Sequence, residues 1–416
     1  MHGSLTATLF DRARLERAAD ALAVAAVVSM PWSTTATGIL IALWLAALLP
    51  TLDWPMVRRE LSTPAGGLPV LFFSLAVVGM LWADAPWRER LGGLESFHRF
   101  LTLPLLLAQF RRSGNGRWVA IGFLASCTAL LVLSYVHTVW RTWIPGPYPH
   151  IFLPGIPLKD HILQSGEFQI CAFGVAYAAV EAWRAQQKRL ALALAVLACA
   201  FLANIVYIAT GRTIVVVMPV LLALFGLRLF GWRGVFGVLI AGLLVAAIAW
   251  FSSHYLRERV TGIAREISLY ETQNINTSSG ERLELWKKSL RFIAAAPVFG
   301  HGTGSIKEQF RGAVGTSGPS LIISDNPHQQ TLTVAVQVGL LGVVVMYAMW
   351  IAHLALFRGG GLIAWCGLLV VVQNIVSSLF NSHLFDFNQG WFYVFGVGVL
   401  GGTLLGMRAR EPAAGG

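Results

Sequence analysis

Apolar residues along this chain come in blocks of about 17 to 25, the length that crosses a hydrocarbon core. Short polar joints separate the blocks. Read this way, the spans fall at roughly 17–31, 35–51, 68–83, 94–110, 117–140, 165–183, 189–208, 211–228, 234–252, 328–356, 360–380 and 389–407. One joint is far longer than the rest. Residues 253–327, between the ninth and tenth spans, contain no apolar segment long enough to span a bilayer. The pattern predicts an all-α, polytopic integral membrane protein with about twelve transmembrane helices. It would form a single membrane domain over residues 1–416, with one long outer loop carrying short helices. A second polar joint, 141–164, is dense in proline (Pro145, Pro147, Pro149, Pro154, Pro157), which argues for a rigid extended connection. No internal repeat of the kind found in inverted-repeat transporters is visible.

Composition agrees. Of 416 residues, 56% are hydrophobic and 12% are charged, whereas soluble domains carry about twice that charged fraction. The net charge of +11 could suggest nucleic acid. The cations lie instead in alternate loops, as the positive-inside rule requires of cytoplasmic loops. One set holds Arg12, Arg14 and Arg17, then Arg58 and Arg59, then Arg111, Arg112 and Arg117, and continues to Arg408 and Arg410. Both termini are therefore expected in the cytoplasm, the long loop outside, and no nucleic acid as a partner. Arg12–Arg17 precede the first apolar block without a small-residue cleavage site, which reads as a retained signal anchor. Cys127, Cys171, Cys199 and Cys366 all lie in apolar blocks. Neither a disulfide framework nor a thiolate zinc site is expected. No outer-face acidic pair or HExxH marks a metal site.

Three outer-face residues stand out. Arg212, in Thr210-Gly211-Arg212, opens the eighth span with Thr210 as a plausible N-cap. It could snorkel to headgroups, or form an anion site with the helix end. Ser278-Ser279-Gly280-Glu281 fits a capping box for a helix running to Ala296 and stopping at Pro297. That helix would carry an apolar stripe of Leu283, Trp286, Leu290 and Ile293, with Lys287, Lys288 and Arg291 on its solvated side. Arg282 flanks the stripe and should have an anionic partner, either a carboxylate or a lipid diphosphate. The third is His328. Asn326 as cap and Pro327 at the first helical position would put His328 in the first turn, which favours the neutral ring. Asp325 could oppose that effect or orient the ring. Gly300-His301-Gly302-Thr303-Gly304 could cradle phosphate, although such strings are more often turns. Glu95 and Arg99 are spaced to pair, and His383 and Asp386 show no specific spacing. Together these residues suit sugar transfer from a diphosphate carrier. Arginines would stabilise the departing diphosphate, and a neutral histidine would take the acceptor's proton.

In this order and topology, Thr210-Gly211-Arg212, Ser279–Trp286, Pro297–Gly302, His328 and Gln337–Gly342 resemble the O-antigen ligase and polymerase superfamily, and the placement of the long loop resembles its ligase branch. The resemblance implies an enzyme of the periplasmic face of the bacterial inner membrane. Such ligases are inverting and move O-antigen glycan from undecaprenyl diphosphate to a lipid A–core sugar, with no cofactor, ATP or metal. It further implies that Arg212 and Arg282 bind the donor diphosphate and that His328 is the catalytic base. Lys159, His161 and Asp325 are candidates for lining the same cavity. Membrane lipids, the lipid-linked glycan and lipid A–core are the expected partners. Two positions depart from the family pattern: Gln329 where Asn is common, and Gln337 where an acidic residue is common. A polymerase with a lipid-linked acceptor, an O-linked protein glycosyltransferase, and a transporter or lipid flippase are the alternatives.

Overall fold

A computed structural model describes residues 11–140, 154–209, 211–273, 277–313 and 323–410. They are helical, with no strand among them. In chain order the helices are α1 (Arg12–Ser29), α2 (Thr34–Leu48), α3 (Trp54–Leu61), α4 (Pro64–Gly79), α5 (Trp87–Glu95), α6 (Leu103–Ser113), α7 (Gly116–Val139), α8 (His161–Arg184), α9 (Lys188–Tyr207), α10 (Arg212–Ser252), α11 (His254–Gln273), α12 (Ser278–Ala295), α13 (Ile306–Gly312), α14 (Gln330–Leu356), α15 (Leu362–Ser377) and α16 (Phe387–Arg410). The protein is an all-α polytopic membrane protein. Among the described residues, six helices are long and apolar enough to cross a membrane, or seven if α3 and α4, bent by 85°, form one span. The sequence reading of twelve is larger for physical reasons. Helix α6 has 11 residues, α4 and α15 have 16 each, and at 1.5 Å per residue these fall short of a core about 30 Å thick. Residues 94–110, read as one span, are the end of α5, a 3₁₀ turn at His98–Thr102 and α6.

Helix α10 contains two of the expected spans. Gly231, at φ 67° and ψ −159°, breaks it. Beyond the break the second arm returns along the first, so that a Cβ on Gly226 would lie 2.6 Å from the carbonyl oxygen of Gly234. Near the centre of the bundle, α16 packs on α6 through glycine: a Cβ on Gly402 would lie 2.6 Å from the Leu107 carbonyl oxygen. Close backbone approach of this kind is how apolar helices associate without a hydrophobic driving force.

The span 328–356 is also broken, at Gly339 (φ 66°, ψ −166°). A break exposes main-chain groups that a membrane cannot hydrogen-bond. The glycine string supplies their partners. His301 N and Gly302 N donate to the carbonyls of Val336 and Gln337, each at 2.8 Å. Leu340 N donates to Pro297 O at 2.8 Å, and Leu341 N to Val298 O at 3.3 Å. Thr303 N and Oγ1 tie the same string to the Gly79 and Ala76 carbonyls of α4. Gly300, Gly302 and Gly304 all have positive φ. A Cβ on Gly302 would sit 2.4 Å from Ala83 Cα, and one on Gly304 2.2 Å from Glu89 O. The string is thus a packed clasp, neither a phosphate cradle nor a loose turn. Gln337 belongs to it, its Oε1 accepting from Gly304 N at 2.8 Å.

One end of the bundle is closed by basic residues. Arg12 pairs with Asp53, Arg112 with Glu16, and Arg111 with the buried Glu60. Arg408 and Arg410 close on the Leu356 and Arg112 carbonyls. The opposite end carries the candidate site. Substituting Gly339→Ala should lower stability by about 3 kcal/mol or more, because it combines left-handed strain with a main-chain clash. Gly312→Ala, where a Cβ meets open space, should change it by less than about 0.5 kcal/mol. Thermal unfolding in detergent checks the pair, and equal melting temperatures would refute the clasp.

Candidate active site

The site is built on the turn between α15 and α16, residues 378–387. Its main chain is gathered by side chains from distant elements. The Arg282 guanidinium donates to Phe380 O at 3.2 Å. Arg99 donates to the carbonyls of Phe385, Asp386 and Phe387. Gln330 takes both sides, its N–H donating to Ser378 O at 3.0 Å and its Oε1 accepting from Leu384 N at 3.0 Å. Arg99 was expected to pair with Glu95. It turns to this carbonyl cluster instead, because the 3₁₀ turn at 98–102 takes it off the helical i,i+4 register.

Arg212 is the first residue of α10, after Gly211 as N-cap. Thr210, the expected cap, lies outside the described residues. The guanidinium forks onto Glu266 of α11: one nitrogen meets Oε2 at 2.9 Å and the other meets Oε1. Ser279 Oγ accepts from the same arginine at 3.1 Å and donates to Glu266 Oε2 at 2.7 Å, and Ser279 N adds a bond at 3.1 Å. These contacts, the Arg212 hydrogen bonds above all, hold the Glu266 carboxyl down to about 2 against partial burial. Glu266 was not singled out in the sequence, since one acid on an amphipathic loop helix looks like any solvated charge.

Helix α12 begins one residue earlier than the capping box implies. Thr277 is its N-cap, accepting from Gly280 N at 3.2 Å, and Ser279 is free to engage Glu266. The helix also turns a different face inward. Gly280, Leu285, Lys288 and Ser289 are buried, while Leu290 is exposed. Lys288, expected in solvent, is only 2% exposed and lies 3.7 Å from Glu284. The reason is tertiary: Tyr270 of α11 packs on Gly280, and Leu285 joins Ile306, Phe310 and Val336 in a small apolar cluster. Arg282 and Trp286 keep their inward aim. The Trp286 indole N–H donates to Pro327 O at 3.0 Å. Arg282 meets a neutral carbonyl rather than the expected anion. Its guanidinium is pushed below its ordinary value by burial first, then by the charge of Arg212, with Glu266 opposing. Two arginines against one carboxylate leave one net positive charge here.

His328 lies before α14 rather than in its first turn. The helix starts at Gln330 with Gln329 as N-cap, its Oε1 accepting from Leu332 N at 2.6 Å. His328 has φ 56°, the left-handed region. An Asx-type bond from His328 N to Asn326 Oδ1, at 2.8 Å, holds it there. The same Asn326 oxygen accepts from Ser382 Oγ at 2.7 Å, which ties the histidine loop to the 378–387 turn. The ring is fixed by Asn381, whose Oδ1 lies 3.0 Å from His328 Nδ1. That oxygen also accepts from Ser382 N at 3.0 Å. Asn381 therefore presents an acceptor to Nδ1, and Nε2 is the ring nitrogen not engaged by that bond.

His328 lines a cavity of about 460 Å³ with Asp325, Asn326, Asn381, Ser382, Asp386, Gly304 and Gln337, and with Lys307 paired to Glu89 at 3.1 Å. Lys159 and His161 do not line it. Lys159 is held by Met30 O and by Asn388 Oδ1 at 2.8 Å, and His161 opens α8 behind its N-cap Asp160. His383 is 3% exposed, and neither ring nitrogen has a hydrogen-bond partner among the described residues. Burial pushes it down to about 4, with Asp386 opposing and Arg282 adding to the fall. Among the described residues, no three His, Cys, Asp or Glu side chains gather where they could hold a metal ion.

A polytopic helical membrane protein with two arginines around one carboxylate, and a histidine held by an asparagine at the same end, is the class that this geometry defines. Residues 197–347 match the family model described as O-antigen ligase. That match supports membership of the O-antigen ligase and polymerase superfamily, whose members are glycosyltransferase-like enzymes. The matched segment includes Arg212, Glu266, Arg282 and His328, whereas Arg99 and Asn381 fall outside it. A search of curated proteins found no match.

Removing the Asn326 acceptor should be costly, because two donors lose their partner. Asn326→Ala is expected to lower stability by about 2 kcal/mol. Ser382→Ala should cost less, and the double variant less than the sum, since both lose one shared bond. Additive shifts in thermal unfolding would show that the two loops are not joined this way.

Proposed function

We propose that the protein is an O-antigen ligase. It moves a glycan from undecaprenyl diphosphate to a sugar of lipid A–core at the periplasmic face of the bacterial inner membrane. The observation that carries this reading is the 378–387 turn: Arg282 holds Phe380, and the next residue, Asn381, orients His328. Donor and acceptor chemistry would then meet across one peptide unit. The excess of short-loop cations at the end remote from the site supports both termini in the cytoplasm and the site outside.

In this mechanism Arg212 and Arg282 bind the diphosphate oxygens. Guanidinium groups match phosphate in bidentate fashion and stabilise the charge that grows as the sugar–phosphate bond breaks. Nε2 of His328 takes the proton of the acceptor hydroxyl, which attacks the anomeric carbon from the side opposite the leaving diphosphate. One displacement inverts that carbon. Asp325 lines the cavity that receives the acceptor. The polar lining around His328 suits a sugar hydroxyl, and the apolar flanks of the bundle suit the lipid tail.

Incubating purified protein with lipid-linked glycan and lipid A–core tests the reading. Glycan on lipid A–core is the expected product; longer lipid-linked chains would identify a polymerase instead, and transport without transfer would refute an enzyme. His328→Ala, Arg212→Ala and Arg282→Ala should each lower transfer about 10²-fold or more while the protein still inserts. Normal lipopolysaccharide ladders from all three would sink the mechanism. Asn381→Ala should lower kcat about tenfold or more with KM little changed. Asn381→Asp, which still accepts from Nδ1, should restore most of it. Equal losses in both variants would mean that Asn381 only supports the fold.

A further inference from the structure

Resting on the reading of Arg212 and Arg282 as the diphosphate site, we propose that Glu266 is a specificity-determining residue. It is a built-in competitor that admits diphosphate esters and turns away single-phosphate anions.

Arg212 is not open in this structure. Both of its terminal nitrogens face the Glu266 carboxylate, and Ser279 Oγ lies on one of them. A carboxylate and a phosphate use the same guanidinium fork. Any phosphate must therefore exchange with Glu266. The carboxylate is ionised throughout the working pH range, because its partners hold it near 2. It is also tethered in the same chain, so it competes at high effective concentration. Ser279 holds it with a hydroxyl and a main-chain N–H.

Charge decides which ligand can win the exchange. A phosphodiester headgroup brings about one negative charge, no more than the carboxylate it would displace, and a phosphate monoester, at about −1.5 to −2, still offers oxygens from one phosphorus only. The bilayer surface presents such headgroups in excess at the level where an uncovered arginine pair would collect them. A diphosphate brings more charge and two sets of oxygens, so it can bridge Arg212 and Arg282 at once. Among the described residues Arg282 has no carboxylate of its own, only the Phe380 carbonyl. Displaced, Glu266 has a route to water, since its side chain is already 25% exposed. Its departure frees Ser279 Oγ–H and N–H to donate to the incoming oxygens.

Binding of farnesyl diphosphate and farnesyl phosphate to the purified protein, by calorimetry in one detergent, tests this. The tails are identical, so the ratio of affinities reads the phosphate site. In Glu266→Gln the monophosphate should bind about tenfold tighter or more, the diphosphate should gain less, and the ratio should shrink about tenfold. An unchanged ratio in a Glu266→Gln protein that melts like the parent would overturn the proposal. If Glu266→Gln does not fold, Glu266→Asp, one methylene shorter, decides. By loosening the carboxylate it should raise monophosphate affinity about threefold, and no gain would overturn the idea. Arg212→Ala separates the two levels. Retained diphosphate binding there would mean that the donor site lies elsewhere, whereas lost binding with an unchanged ratio in Glu266→Gln would spare the site and reject only the role of Glu266.

Discussion

Main-chain carbonyls at the turn between α15 and α16 need donors, and the rest of the site follows from how they get them. A turn buried among helices cannot leave C=O groups bare. Arg99 covers three of them from one side, Arg282 covers Phe380 from another, and Gln330 pins both ends. Hydrogen bonds from charged donors are each worth about 1.5–3 kcal/mol. Two cations that would be costly to bury alone therefore find partners in the turn, and the turn gains a single geometry. Asn381 sits inside it, so its amide oxygen has a defined place, and His328 takes its ring orientation from that oxygen.

The same economy appears at the break in α14. A helix that stops being helical inside a bundle releases donors and acceptors, and the Pro297–Gly304 segment returns them one for one. Glycine is required there because the strands of chain approach too closely for a Cβ and because several residues have positive φ. The clasp holds α4 and α14 together and forms one wall of the cavity that contains His328. The polar segment 253–327 is thus anchored at the clasp and, through Asn326, at its far end. It also carries Glu266, which holds Arg212 of α10, and Arg282.

Much of this was legible along the chain, and the misses share a cause. Apolar periodicity located the helices, and the Gly231 hairpin fell between two expected spans. The inward aim of Arg282 and Trp286 was readable from helical phase, because both lie on the face of α12 that meets neighbours. Glu266 and Asn381 were invisible: each is an ordinary polar residue far in sequence from its partner, 54 and 53 residues respectively. Lys288 was placed in solvent because phase alone cannot show that α11 and α13 pack around α12 on more than one side. The two departures from the family pattern gain local explanations. Gln329 caps α14, and Gln337 completes the glycine clasp.

Local chemistry, read along one dimension, determined that this is a helical membrane protein and which arginines and histidine are set apart at one of its ends. Those properties depend on hydrophobic run length, charge asymmetry and helical phase, all of which repeat over short distances in the chain. Tertiary structure alone decided that His328 stands outside its helix in a left-handed conformation and that Asn381 orients its ring. It also decided that Arg212 is held by Glu266. Each of these depends on a hydrogen bond between residues remote in sequence. Such bonds form only when packing has removed water and left one partner within reach.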